Sequence, residues 1–214
     1  MTQAYLASQF YVVGDYIGPK ISADKKAKTV FITTPIKYKV FKESELDWHY
    51  KNRETLKRNG FITEDYDITG KSEGDLIADL AKYKVMYVEG GNPFSTLKIA
   101  QTNNFAEYVR SRIKEGMIYI SESAGSVLAG VDIAANSRPG KSAIEYGLTD
   151  TSGLGLINAV IMPHWGQGPK RGDYIEYKYP QTYKEDFAYI FLPDSKYIEV
   201  RGDTYNMVDT TYTK

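Results

Sequence analysis

The sequence contains no cysteine, and only two of its 214 residues are histidines, His49 and His164. The absence of cysteine excludes disulfides, thiolate metal sites and cysteine nucleophiles. The scarcity of histidine means that any mechanism with an imidazole base must use one of these two side chains. The general base, if it is an imidazole, is therefore one of two residues.

The chain also lacks an excess of charge of either sign, because 27 Lys and Arg residues balance 27 Asp and Glu residues. This balance provides no field that would draw the protein to nucleic acid or to an anionic membrane. No run of about 18 apolar residues is present that could span a membrane. We therefore expect a cytoplasmic protein without nucleic-acid or membrane partners, folded as a single domain over residues 1–214.

Strand and helix patterns alternate through the first 130 residues. The run KTVFITTPIKYKV predicts a strand that ends near Pro35, and the polar stretch up to Gly60 predicts a helix. Such alternation indicates βαβ units, and so an α/β fold with a doubly wound, mainly parallel sheet and helices on both faces. The aromatic tail that begins at Asp173 predicts edge strands that complete the sheet, including antiparallel ones.

Three loops are predicted at the carboxyl ends of strands, where doubly wound sheets bind their ligands. They are EGGNPF (Glu89–Phe94), SESAG (Ser121–Gly125) and MPHWGQG (Met162–Gly168). The third loop contains His164, whereas His49 falls inside a predicted surface helix, where a structural imidazole is expected. The convergence of the three loops favours His164 as a base over a loop histidine held only by backbone groups.

The stretch MIYISESAGSVLAG, residues Met117–Gly130, passes from a strand through small residues into a helix. Such an elbow aims its middle side chain, Ser123, into the crevice. It leaves the backbone N–H of Ala124 at a helix N-terminus, where an oxyanion is favoured. A serine that only caps the helix fits the same spacing. The paired glycines Gly90 and Gly91 could offer a second N–H group or form an ordinary turn.

Taken together, YVEGGNPFSTLKIA, YISESAGSVLAG and GLGLINAVIMPHW resemble the three signature segments of the peptidase E and cyanophycinase family of serine peptidases. The resemblance extends over roughly residues 28–165. It implies a class I glutamine-amidotransferase-like fold with a flavodoxin-like core. It also implies Ser123 as nucleophile, His164 as base, and an oxyanion hole formed by the backbone N–H of Ala124 and that of Gly90 or Gly91.

The same resemblance implies a dipeptidase that cleaves small peptides or related amides with an aspartyl residue on the acyl side, without a metal or organic cofactor. An acidic substrate side chain needs a cationic partner, and Arg138, Lys141, Lys170 and Arg171 lie in the flanking loops. A solvated basic loop surface is the commoner origin of such charges. We expect Glu122 to point away from the crevice, and the protein to be a monomer or a homodimer.

Two departures from the family pattern affect the predicted site. Ser121 replaces the first glycine of the elbow, and the segment expected to carry the acid that orients the histidine, GVDIAANSRPG, contains Asn136 and no carboxylate at the matching place. Asn136 could orient the imidazole, or Glu145 or Asp150 could approach from the next loop. Replacing such a carboxylate by an amide costs about 10⁴ in turnover. A slow hydrolase, a hydrolase with a relocated acid and a catalytically degenerate ligand-binding protein all remain open.

Overall fold

The computed structural model describes residues 2–168, 172, 175–176 and 179–211. Strands in this part of the chain are β1 (Gln3–Ala7), β2 (Thr29–Ile32), β3 (Thr63–Tyr66), β4 (Val85–Val88), β5 (Ile118–Glu122), β6 (Val160–Trp165), β7 (Tyr189–Pro193), β8 (Lys196–Arg201) and β9 (Thr204–Asp209). The α-helices with defined bounds are α1 (Phe10–Ile17), α2 (Ala23–Lys26), α3 (Asp47–Arg58), α4 (Glu73–Leu80), α5 (Pro93–Thr102), α6 (Phe105–Lys114), α7 (Ala124–Ala129) and α8 (Tyr179–Thr182).

Seven strands form one sheet in the order β3-β2-β4-β5-β1-β8-β9. The first five of these pair in parallel, and β8 and β9 close one edge in antiparallel orientation. The predicted α/β fold with a mainly parallel sheet and C-terminal edge strands is therefore confirmed. Because β4, β5 and β1 are neighbours, the loops at their carboxyl ends lie next to one another.

Successive side chains of the central strands pack into two separate cores, because neighbouring residues of a strand point to opposite faces of the sheet. In β1, Tyr5 and Ala7 face the helices α1 and α3, whereas Ala4 and Leu6 face α4 to α7. All four residues are fully buried. Fully burying a large apolar side chain stabilises the folded state by about 1.5–3 kcal/mol. The two cores therefore fix the sheet beneath the loops.

Strands β6 and β7 do not join the main sheet but form a second, two-stranded parallel sheet. The sequence predicts instead that the strands of the tail complete one sheet. The inner residues Ile161 and Leu192 pack into the same core as helices α4 to α7, which explains how β6 and β7 bury their apolar residues outside the main sheet. Their parallel pairing brings the carboxyl ends of β6 and β7 to one edge.

Within the described residues, no helix combines the length and apolar character that a membrane crossing requires.

Candidate active site

Ser123 stands at the junction of β5 and α7, with backbone angles φ 45° and ψ −105°. A non-glycine residue with such angles is strained and is held only when its surroundings impose the conformation. Gly125 shows one source of the constraint, because a Cβ at that position would lie 2.3 Å from the carbonyl oxygen of Val88. Ser121 is accommodated before the turn, where its buried hydroxyl lies 2.8 Å from that of Ser126.

His164 reaches the serine from the end of β6, and its Nε2 lies 3.0 Å from Ser123 Oγ. Its backbone also has a positive φ, 64°, at a point where the pairing of β6 with β7 is irregular between Pro163 and Trp165. The irregularity turns the imidazole out of the strand and towards the elbow. The structure thus brings together the two side chains that the sequence places at separate strand ends.

Asp194 directly follows β7 and supplies a carboxylate to the other ring nitrogen of His164. The Asp194 Oδ1 atom lies 3.0 Å from Nδ1, and about four fifths of each side chain is buried. A carboxylate at this nitrogen holds the ring with Nδ1 protonated, which leaves Nε2 free to accept a proton from Ser123.

The three residues expected to orient the imidazole have other partners. The side-chain amide of Asn136 donates to the carbonyl oxygen of Ile161 at 3.0 Å. The carboxylate of Glu145 accepts from the N–H of Gly140, and that of Asp150 accepts from the N–H of Ser152. The carboxylate beside Nδ1 is instead that of Asp194, because the parallel pairing of β6 and β7 brings the end of β7, and not the loop after α7, next to His164.

Ser8, at the carboxyl end of β1, connects the histidine and the aspartate. Its fully buried Oγ accepts the backbone N–H of His164 at 2.7 Å and donates to Asp194 Oδ1. Sequence reasoning missed both Ser8 and Asp194, since neither belongs to a recognisable motif. The available signal was weak: each is a polar residue placed immediately after a strand.

Three backbone N–H groups beside Ser123 have no acceptor among the described residues: those of Gly90, Gly91 and Ala124. Gly91 has φ 141°, and a Cβ there would lie 2.0 Å from the carbonyl oxygen of Pro35. Only glycine therefore fits at this close approach of two loops. Gly91 and Ala124 line a cavity of about 120 Å³ together with Ser123 and are placed to donate to an oxyanion.

Two cavities meet at Ser123 and His164, a smaller one of about 120 Å³ and a larger one of about 260 Å³. Arg138 and Lys141 line both of them. Lys141 Nζ donates to the carbonyl oxygen of Gly91 at 3.1 Å. Burial, followed by the charges of Arg138 and Lys39, lowers the pKa of Lys141 to about 8. The other two predicted cationic residues, Lys170 and Arg171, lie outside the described residues.

Glu122 borders the larger cavity, so the expectation that it points away from the crevice is wrong. The residue is only 3% exposed. Burial raises the pKa of its carboxyl group to about 8, against the lowering effect of hydrogen bonds from the Phe10 N–H and the Asn52 amide.

His49 lies outside both cavities and is bound on each side of its ring. Nδ1 contacts Glu89, and Nε2 accepts from Arg53 Nε at 2.9 Å. Burial raises the pKa of the Glu89 carboxyl group, whereas the hydrogen bond from His49 lowers it. In the described part of the chain, no group of three or more His, Asp or Glu residues is arranged to hold a metal ion.

Comparison with known proteins gives one family and several relatives. The model of peptidase family S51 matches residues 14–208. An uncharacterised peptidase from Listeria monocytogenes is 29% identical over 117 residues, which is 55% of this chain and 57% of that protein. A peptidase E from Citrobacter koseri is 30% identical over 158 residues, or 68% of this chain and 65% of that protein. Each match thus spans less than two thirds of the relative's length.

A solved structure is similar over nearly the whole chain. The crystal structure of a candidate peptidase E protein from Listeria monocytogenes superposes with a TM-score of 0.80 and covers 98% of both chains. The sequence identity is 23%. At this identity the likeness shows the fold, and the chemistry must be argued from the side chains.

Proposed function

Because the chain belongs to peptidase family S51, we propose that it is a serine peptidase in which Ser123 attacks the carbonyl carbon of a small peptide. His164 accepts the hydroxyl proton on Nε2, and Asp194 holds the ring through Nδ1. The observation that carries this proposal is the continuous series of contacts, 3.0 Å from Ser123 Oγ to Nε2 and 3.0 Å from Nδ1 to Asp194.

The remaining steps follow from the same geometry. The carbonyl oxygen that becomes negatively charged accepts hydrogen bonds from the N–H groups of Ala124 and Gly91, two residues that line the cavity and whose N–H groups have no acceptor among the described residues. The imidazolium of His164 then protonates the leaving amine, so that Ser123 carries an acyl group. Water, deprotonated at Nε2 in turn, hydrolyses this ester and restores the serine.

An acidic side chain on the acyl residue is the substrate preference that we propose. Arg138 and Lys141 support it, because both line the cavities that meet at Ser123. Lys141 is anchored to the carbonyl oxygen of Gly91, so its ammonium group lies close to the proposed oxyanion hole. A carboxylate on the substrate would find two cations there.

A ligand-binding protein without catalysis was the alternative raised by the missing acid near Asn136. The carboxylate of Asp194 at Nδ1 supports a hydrolase with a relocated acid over that alternative.

The proposal is tested by treating the protein with a fluorophosphonate probe and measuring the mass of the labelled chain. We expect one adduct on the wild type, on Ser123, and none on Ser123→Ala. Ser121→Ala is the matched control, because Ser121 lies two residues away, in β5, and contacts Ser126 rather than His164. An unlabelled wild type, or equal labelling of Ser123→Ala, would refute the assignment of the nucleophile.

A further inference from the structure

A second pair of a histidine and a carboxylate lies beside the loop that carries Gly90 and Gly91. Glu89, the residue before these glycines, is fully buried, and its Oε1 atom contacts Nδ1 of His49. His49 is 8% exposed and stands in the first turn of α3. Neither side chain is among the described residues that line the two cavities at Ser123, so the proposed mechanism gives the pair no chemical step.

The position of the proton on the His49 ring is set by Arg53. The Nε atom of Arg53, which can only donate, lies 2.9 Å from His49 Nε2, so this ring nitrogen accepts the hydrogen bond. The ring is therefore neutral, carries its proton on Nδ1 and donates it to Glu89. Because a charged partner fixes one nitrogen of the imidazole, the other nitrogen presents a directed hydrogen bond to the buried carboxyl group.

Arg53 is held in place by two further contacts. Its two terminal nitrogens each donate to a carboxylate oxygen of Asp65, in β3, at 2.9 Å. Its guanidinium group lies over the ring of Phe31, 4.1 Å from the centroid. A bidentate ion pair and a ring contact together fix a planar guanidinium in one orientation. A connected series of contacts thus runs from Asp65 through Arg53 to the imidazole and ends at Glu89.

The loop that follows Glu89 is tightly enclosed. A Cβ at Gly90 would lie 3.2 Å from the ring of Trp48, which belongs to α3. A Cβ at Gly91 would lie 2.0 Å from the carbonyl oxygen of Pro35. Helix α3 therefore contacts the loop both through the ring of Trp48 and through the carboxyl group of Glu89. In such close packing, a displacement of Glu89 is passed along the backbone to Gly91.

We propose that His49 is a positioning residue of the active site, which holds the N–H group of Gly91 in place through its hydrogen bond to Glu89. This inference rests on the proposed function, because it takes the N–H group of Gly91 to donate to the oxyanion. Such donors stabilise an oxyanion only when they are fixed in advance, and a misplacement of about 1 Å can cost about 10²-fold in rate. His49 and Glu89 act on the backbone of the loop and do not touch the substrate.

Substitutions of His49 separate its hydrogen bond from its bulk. His49→Ala removes the donor, and His49→Phe removes it while keeping a ring, so that a variant without the donor is available even where the alanine variant does not fold. In His49→Asn the side-chain amide nitrogen lies about where Nδ1 lies and can donate to Glu89. Thr55→Ala is the matched control, because it removes another buried polar group of α3, whose hydroxyl donates to the carbonyl oxygen of Lys51 at 2.7 Å.

The kinetic test uses an aspartyl anilide as substrate. In His49→Ala and His49→Phe we expect kcat to fall about 10- to 100-fold and KM to change less than about threefold, because a displaced donor weakens stabilisation of the transition state and not binding of the substrate. His49→Asn and Thr55→Ala should keep kcat within about threefold of the wild type. An unchanged kcat without the donor, a loss that appears only in KM, or an asparagine variant as slow as the phenylalanine variant would overturn the inference.

Amide hydrogen exchange, measured by NMR, separates this inference from the proposed hydrolysis. The N–H group of Asn92, the residue after the paired glycines, donates to the carbonyl oxygen of Pro35 at 2.9 Å and therefore reports on the order of the loop. Relative to the amides of β5, it should exchange at least about tenfold faster in His49→Phe than in the wild type, and at the wild-type rate in His49→Asn.

The two parts of the proposal fail in different ways. An unchanged rate at Asn92, or an equal acceleration in β5, would overturn the positioning role of His49 even if the wild type hydrolyses peptides. Conversely, faster exchange confined to the loop, in a protein that no fluorophosphonate labels, would support the hold of His49 on the loop and refute the peptidase.

Discussion

At the scale of single residues, His164 is held at both ring nitrogens and at its backbone. Ser123 meets Nε2, Asp194 meets Nδ1, and the hydroxyl of Ser8 accepts the backbone N–H. A left-handed backbone at a histidine costs of the order of 1–3 kcal/mol and persists only when its neighbours fix it. Ser8 accepts the N–H of His164 and donates to Asp194, so it fixes the backbone and the carboxylate together and orients the ring before a substrate arrives.

The first prediction concerns the acid. Asp194→Asn should reduce kcat by about 10⁴, because an amide cannot stabilise the imidazolium and favours the wrong tautomer. Steady-state kinetics on an aspartyl anilide measures this loss. Asn136→Ala and Asp150→Asn should each stay within about tenfold of the wild type, since neither side chain has a described contact with the ring. A larger loss in either of them than in Asp194→Asn would contradict the assignment of the acid.

The second prediction concerns the serine behind the histidine. Ser8→Ala should lower kcat roughly 10- to 100-fold with little change in KM, because a misplaced ring affects proton transfer more than binding. Fluorophosphonate labelling should slow in proportion. The control is Ser126→Ala, which removes another buried hydroxyl that donates to the carbonyl oxygen of Ala7 but does not contact His164. Equal losses in the two variants would mean that Ser8 acts only on stability.

The third prediction follows from the lowered pKa of Lys141, about 8. Lysine is charged below its pKa, so the wild type should lose affinity for acidic substrates as the pH rises through 8. Lys141→Arg stays charged throughout this range. The ratio of kcat/KM for Lys141→Arg to that of the wild type should therefore rise up to about tenfold per pH unit above pH 8. The titrations of Glu122 and of the substrate amine affect both proteins equally and cancel in this ratio. A ratio that does not change with pH would show that Lys141 does not bind the substrate.

At the scale of elements, the turn between β5 and α7 depends on how closely the start of α7 approaches β4. The backbone of Gly125 passes so near the carbonyl oxygen of Val88 in β4 that no side chain fits between them. Gly91 follows Val88 by three residues, and Ala124 directly precedes Gly125. The close packing of β4 against the start of α7 thus joins the two segments that carry the proposed oxyanion donors.

The fourth prediction tests this packing. Gly125→Ala should destabilise the protein by about 1–3 kcal/mol or more and slow probe labelling, because an added Cβ would lie 2.3 Å from a backbone oxygen. Gly74→Ala in α4 is the control, since its Cβ would meet nothing closer than Ser72 Oγ at 3.7 Å. There we expect a gain of up to about 1 kcal/mol from helix propensity. Urea unfolding measures both, and a neutral Gly125→Ala would contradict the packing argument.

The elements also explain which parts of the site could be predicted from the sequence. The elbow at Ser123 and the strand end at His164 are local patterns, readable from a few adjacent residues, although their roles stay predictions. Asp194 and Ser8 could not be assigned, because they lie 71 and 115 positions from Ser123 and come near it only through the pairing of β7 with β6 and of β1 with β5. The parallel sheet was predictable from alternation, whereas the separation of β6 and β7 depends on packing between distant segments.

At the scale of the whole molecule, the candidate site lies where two sheets meet. Ser8 and Ser123 come from the seven-stranded sheet, and His164 and Asp194 come from the two-stranded one. Beneath them the protein buries two carboxyl groups, those of Glu122 and Glu89, whose pKa values burial raises. Buried ionisable groups of this kind couple global stability to pH.

This coupling gives the last prediction, on Glu122→Gln. The carboxyl group has a pKa of about 8 when folded, against an ordinary value of 4.5, so the folded protein binds its proton more tightly than the unfolded chain does. Its contribution to stability is therefore complete below about pH 4.5 and is lost as the pH rises to 8. The glutamine variant does not titrate, and its free energy of unfolding relative to the wild type should increase by up to about 1.4 kcal/mol per pH unit across this window. Urea unfolding at three pH values measures the difference. A difference that stays constant would mean that Glu122 is ionised in the empty protein, with a compensating charge already in place.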